Sequence, residues 1–218
     1  MQNNKAIGVA AGLATLGASA MMWFSTHEFP PRFNPKPHEA AGKALAQQSL
    51  DWLKPGGQII VISRDTTTFK QPAAEILLAS FTKTIRSAGA ANLVVRSMQV
   101  DPLRPVAAPA GDFADLIRKA PEGSVIVSLM GPPLLTEEQR SQLGEIKPKI
   151  IAFCPGTMTD GAGLRQLFEQ HLLHAAVVSR RNPGASASPK SPGEWFEEYF
   201  VTVTAANLGD LSLLDTRQ

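Results

Sequence analysis

Short apolar runs bounded by turn residues recur along this chain, and the segments between them carry their apolar residues at helical spacing. Gln58–Ser63 (QIIVIS), Asn92–Val100 (NLVVRSMQV), Ser124–Met130 (SVIVSLM), Lys149–Phe153 (KIIAF) and Ala175–Ser179 (AAVVS) are the runs. A strand covered on both faces reads in this way, because neither side needs polar residues. Alternation of such strands with helices of about three turns predicts an α/β fold. The expected architecture is a doubly wound, mostly parallel sheet of about five to six strands, Rossmann-like and confined to a single lobe, behind an apolar N-terminal helix.

The helical segments have their own start and stop signals. Ala40–Leu53 carries Ala41, Leu45 and Trp52 on roughly one side and is stopped by Pro55-Gly56-Gly57. Pro72 suits a first helical turn, Leu77, Phe81, Ile85 and Ala88 follow at helical spacing, and Gly89 offers the stop. Asp112 is the expected N-cap of a helix bearing Phe113, Leu116 and Ile117. Thr136-Glu137-Glu138-Gln139 matches a capping box. A helix over Gly163–Leu173 turns Leu164, Leu167, Phe168 and Leu172 inward. Asn182–Gly193, rich in Pro, Ser, Ala and Gly, reads as a loop. Glu194–Tyr199 reads as a helical turn, and Phe200–Thr204 alternates like an edge strand.

Domain organisation follows: residues 1–24 as a signal-anchor or signal peptide, 25–37 as a proline-rich spacer, and 38–218 as the α/β domain. Ala6–Phe24 carries no charge and is about the length needed to cross a bilayer. In one reading Lys5 stays in the cytoplasm and the segment anchors the domain on the periplasmic face of the inner membrane. In another, Ala18-Ser19-Ala20 is a signal-peptidase site and the domain is periplasmic or secreted after cleavage at Ala20. A structural N-terminal helix is the third. The Gly8 and Gly12 pair fits chance in so glycine-rich a segment. Pro30, Pro31, Pro35 and Pro37 restrict the stretch that follows, which reads as a stiff arm, either spacing the domain from a membrane or lying on it.

Composition narrows the function classes. A net charge of +2, with basic residues scattered among acids, argues against a nucleic-acid partner. Cys154 is the one cysteine, so no intramolecular disulfide forms. It follows a strand, yet the Cys-x5-Arg loop of a phosphatase is absent, and a small buried thiol is the plainer reading. His171 and His174 stand three apart without an acidic or thiol companion, so no metal is expected, and His174 is expected at a helix end where positive charge is favoured. No Walker loop, GxGxxG, GxSxG or HExxH occurs, so no cofactor and no catalytic residue is assigned and enzyme function has no support.

Three stretches carry a family resemblance. QIIVISRDTTTF with its following helix, DFADLIRKAPEGSVIVSLMGPP, and WFEEYFVTVTAAN with its terminal Thr-x-x-Asn together resemble one lobe of the type I periplasmic binding proteins, a family of sugar and solute receptors. That family holds solute between two lobes, and the body of this chain suffices for one. The resemblance implies a lobe that pairs with another, or a scaffold that has lost solute binding.

In open α/β sheets ligands sit beyond the carboxyl ends of the strands. The candidate ligand-binding residues are therefore Asp65, Thr66 and Phe69 after the first strand with Arg64 beside them, Gly131 after the third, and Arg180 and Arg181 after the fifth. Cys154 and Thr157 follow the fourth. The resemblance implies that Asp65 and Thr66–Thr68 bind polyol hydroxyls and that Phe69 stacks on a sugar face. A turn-and-cap role for Asp65 and Thr66 is the alternative. Arg180 and Arg181 suit an anion clamp or a solvated strand end. The expected partners are the membrane, through the N-terminal helix, and a small polar solute or a protein.

Overall fold

The computed structural model describes residues 33–67, 70–89, 92–99, 108–144, 148–156, 161–180 and 189–211, together with Met21. The chain divides into two compact units, Met1–Asn34 and Pro35–Gln218. The apolar segment 6–24 and most of the expected spacer lie outside the described residues. Among the described residues no helix is long and apolar enough to cross a membrane.

The second unit runs α1 (Lys36–Trp52), β1 (Ile59–Arg64), α2 (Pro72–Ser87), β2 (Leu93–Met98), α3 (Ala110–Lys119), β3 (Val125–Ser128), α4 (Glu137–Ser141), β4 (Lys149–Cys154), α5 (Gly161–Glu169), β5 (Ala175–Ser179), α6 (Pro192–Tyr199), β6 (Phe200–Val203) and a final 3-10 turn, Ala205–Leu211. The six strands lie in the order β2-β1-β3-β4-β5-β6. The first five are parallel, and β6 pairs antiparallel to β5. This is the expected doubly wound sheet, with the alternating run Phe200–Val203 at its edge.

The strands divide their side chains between two cores, as the period of two requires. Ile59, Val61, Val125, Val127, Ile151, Phe153, Ala175 and Val177 face α1, α2 and α6. Ile60, Ile62, Ile126, Ile150, Ala152, Ala176 and Val178 face α3, α5 and the chain around α4. Only β2 breaks the pattern. It is an edge strand, with Arg96 and Ser97 exposed and Val95 41% exposed. On the first face α1 and α2 pack closely enough that a Cβ on Gly42 would sit 2.4 Å from the Leu77 carbonyl oxygen.

Several boundaries differ from the sequence expectation, each for a local reason. α1 starts at Lys36 and takes in Pro37, because a proline in the first turn gives up an amide that has no helical partner there. α3 starts at Ala110 after Pro109, so Asp112 is not the N-cap but an acid in the first turn, where the helix dipole still favours it. α5 ends at Glu169, and His171 adopts a left-handed φ of 56°, which stops the helix short of Leu173. α6 begins at Pro192, two residues early, because the Ser191 hydroxyl caps it by accepting from the Glu194 amide. The capping box at α4 forms as expected. Gln139 N–H donates to Thr136 Oγ1 at 3.2 Å, and Thr136 N–H donates to Gln139 Oε1 at 2.9 Å.

Candidate functional site

The chain leaves β1 toward β2 on one side and, after β3, proceeds to β4 on the other, so the strand order reverses between β1 and β3. The crevice beyond their carboxyl ends is where such sheets receive ligands. The two strands are in register there, with Ile62 opposite Ser128 and Leu129 N–H donating to the Ile62 carbonyl at 2.9 Å. Asp65 and Thr66 on one side and Gly131 on the other therefore flank the same crevice.

Asp65 is held on both sides of its own backbone. Its N–H donates to the Met98 carbonyl at 2.8 Å, which ties it to β2, and its Oδ1 accepts the Thr67 N–H at 2.9 Å. The second bond is an Asx turn, which directs the chain away from the sheet. The Thr67 amide and hydroxyl, with help from the Gln99 side chain, hold the Asp65 carboxyl below its usual range. The turn half of the alternative reading is realised, but the cap is not: Gln71 stands at the N-cap of α2, with no side-chain cap bond. Gly131 has φ of 88° and nothing within 4 Å of a built Cβ, so its glycine character serves the left-handed turn after β3.

Arg180 is placed differently. Its N–H donates to the Tyr199 carbonyl at 2.8 Å and its Nε–H to the Phe200 carbonyl at 3.2 Å, so part of its guanidinium fastens β5 to the α6–β6 corner. It also stands three strands from β1, about 14 Å along the sheet edge at ordinary strand spacing. Asp65 and Arg180 do not converge on one small solute. Phe69, Arg181 and Thr157 lie outside the described residues. Cys154 is buried at the end of β4, as the plainer reading expects.

Three serines at this end of the sheet were not singled out from the sequence. Ser63 and Ser179 each close an apolar run, and that polar ending was the available signal, whereas Ser128 lies inside the run Ser124–Met130. Ser128 Oγ accepts the Met130 N–H at 3.3 Å, and Ser179 Oγ accepts the Gly156 N–H at 3.2 Å, so both shape the loops that follow β3 and β4. Ser63 is 4% exposed, and its Oγ has no hydrogen-bond partner among the described residues.

His174 lies at the opposite end of the sheet, beyond the end of α5, and does not cap a helix with positive charge. Its Nδ1 accepts the Ile150 N–H at 3.1 Å, and its own N–H donates to the Ile150 carbonyl at 2.8 Å. Burial first, then the charges of Lys149 and His171, lower its pKa to about 4, so the ring is neutral at pH 7. Among the described residues no group of three His, Cys, Asp or Glu side chains is placed to hold a metal ion.

No family model matches the sequence, and no curated protein matches it. The fold does have counterparts among solved structures. A Bacteroides fragilis protein assigned as a LacI transcriptional regulator aligns with a TM-score of 0.55 at 9% identity, over 79% of this chain and 61% of that one. A periplasmic ribose ABC transporter structure from Conexibacter woesei aligns with a TM-score of 0.52 at 10% identity, over 80% of this chain and 60% of that one. Identity this low speaks for the fold alone. The chain spans about three fifths of the length of these structures. The fold is that of a single lobe of a type I periplasmic binding protein, as the three quoted stretches imply. The terminal Thr-x-x-Asn of that resemblance has a structural role here: Asn207 Oδ1 accepts the Thr204 N–H at 2.6 Å, and its Nδ2 donates to the Thr202 carbonyl at 3.0 Å.

Proposed function

We propose that this chain is an extracytoplasmic binding lobe, tethered to the membrane by the uncharged segment Ala6–Phe24, or periplasmic after cleavage at Ala20. It takes a small polar solute at the crevice between β1 and β3. The observation that carries the reading is the ionised, Asx-turned Asp65 at the strand-order reversal of a lobe whose fold matches solute receptors. Asp65 and Thr66 accept hydroxyls there, with Gly131 at the margin and Phe69 stacking on the solute. Arg180, three strands away, lies outside that crevice and, with Arg181, contacts a second lobe. A second lobe supplied by a partner closes the site.

The test is a thermal melt against sugars, polyols, amino acids and small anions. A ligand at a hundred times its dissociation constant stabilises by about 2.7 kcal/mol, which raises the midpoint by roughly 5 to 10 °C for a domain of this size. A reproducible rise with one chemical class supports the receptor. A cooperative melt that no class shifts sinks it.

The second reading is a structural or assembly protein that docks on a protein partner and binds no solute. The exposed edge of β2, with Val95 turned partly to solvent, favours it, because an open strand edge offers unpaired amides and carbonyls to another chain.

A further inference from the structure

Within its helix layer α1 packs over β3 and β4, and α2 over β1, beside the edge strand β2. The two helices meet through one side of α2: Ser80 Oγ donates to the Glu39 carbonyl at 2.7 Å, and Gly42 lies against Leu77 and Phe81. The flank of α2 turned away from α1 carries a groove of about 550 Å³, lined among the described residues by α2 alone. Glu75, Leu78, Ala79, Thr82, Lys83 and Arg86 form it, at the spacings of three and four that make one stripe. The sheet edge continues this surface. Leu93 of β2 packs into the core under α1 and α2, and Val95, on the same face of the strand, is 41% exposed.

The charges of the stripe sit at its ends. Glu75 is in the first turn of α2 and Arg86 in the last, about 16 Å apart along the axis, so they do not meet within one chain. Neither they nor Lys83 forms an ion pair among the described residues. The stripe is, however, its own complement under two-fold symmetry. Two α2 helices laid antiparallel, with the axis midway between Ala79 and Thr82, set Glu75 beside the partner's Arg86 and Arg86 beside the partner's Glu75. At the centre Ala79 meets the partner's Thr82, and these small side chains let the helices approach closely. Lys83 lays its methylene stem over the partner's Leu78 and keeps its ammonium at the wet rim. Parallel helices would instead set Glu75 on Glu75 and Arg86 on Arg86, so charge selects the antiparallel pairing.

We propose that a second copy of this chain docks on this flank, α2 against α2 about a two-fold axis, with the β2 edges and Val95 beside the contact. The surface lies at the side of the sheet and not beyond its strand ends, so the inference stands apart from the solute reading. One helix pair and a strand edge make a small interface, and the dimer is accordingly weak and concentration-dependent.

The test is sedimentation equilibrium of the full chain from low to high micromolar concentration, at low salt because exposed ion pairs are screened. A density-matched nonionic detergent keeps the apolar segment 6–24 from joining chains. A monomer–dimer equilibrium is expected, weakened at least tenfold in Glu75→Arg and regained in the charge-swapped Glu75→Arg/Arg86→Glu. Far-ultraviolet circular dichroism checks that these exposed positions leave the fold intact. Mixing the single variants Glu75→Arg and Arg86→Glu should give a heterodimer tighter than either variant forms alone, which needs no double variant to fold. A monomer at every concentration overturns the proposal. So does association that Glu75→Arg leaves unchanged, which would assign the contact to another surface, or a loss that neither the charge swap nor the mixture restores.

Discussion

His174 shows how a single side chain can couple stability to pH. Its folded pKa of about 4 lies below the ordinary value of 6.5, so the unfolded chain binds the proton more readily. The stability it contributes is therefore complete above about pH 6.5, falls as the pH drops toward 4, and changes no further below that. The ring is only partly buried, so screening reduces the effect to on the order of 1 to 2 kcal/mol. Urea midpoints measured from pH 7 to pH 4 should fall for the native chain and fall less for His174→Gln. Equal slopes would rule out this role. Asp65 makes the opposite kind of prediction. Its turn is at the surface, so Asp65→Ala should leave global stability within about 0.5 kcal/mol while removing any solute-induced rise in the melting midpoint. An undiminished rise would mean that the solute sits elsewhere. The identity of both residues was plain in the sequence, but their roles were not. His174 reads as a helix-end cation only if the helix continues past Glu169, and the left-handed turn at His171 ends it first.

At the scale of elements, two tests bear on packing and capping. Gly42→Ala removes a helix-weakening glycine, worth about 1 kcal/mol in an exposed helix. Here the new methyl meets a carbonyl oxygen at 2.4 Å, and that oxygen is fixed in α2's own hydrogen-bond ladder. Crowding of this kind costs about 1 to 3 kcal/mol, so the net change should be a loss, read as a lower urea midpoint. A higher midpoint would show that α1 shifts freely along α2. Thr136→Ala should cost about 1 kcal/mol through the lost cap of α4, and Thr136→Ser should restore most of it. The capping box was legible because its partners are three residues apart. The Gly42 contact was not, because its partner is thirty-five residues away and no local pattern marks it.

At the scale of the molecule, the two cores lie on either face of one sheet within a single compact unit, Pro35–Gln218. A chain beginning at Phe33 should unfold in one transition, with far- and near-ultraviolet circular dichroism coincident in urea. Separate transitions would mean that the two helix layers melt independently. The sequence by itself determined the element order, the parallel character of the central strands and the edge position of β6, because burial on two faces and the helical period are both local patterns of apolar residues. It also placed Asp65, Thr66 and Gly131 at strand ends. Only the tertiary structure decided that these three share the crevice between β1 and β3, and that Arg180 stands three strands away with its Nε on a carbonyl. Strand order and helix packing bring distant segments together through contacts that leave no periodic trace in the chain.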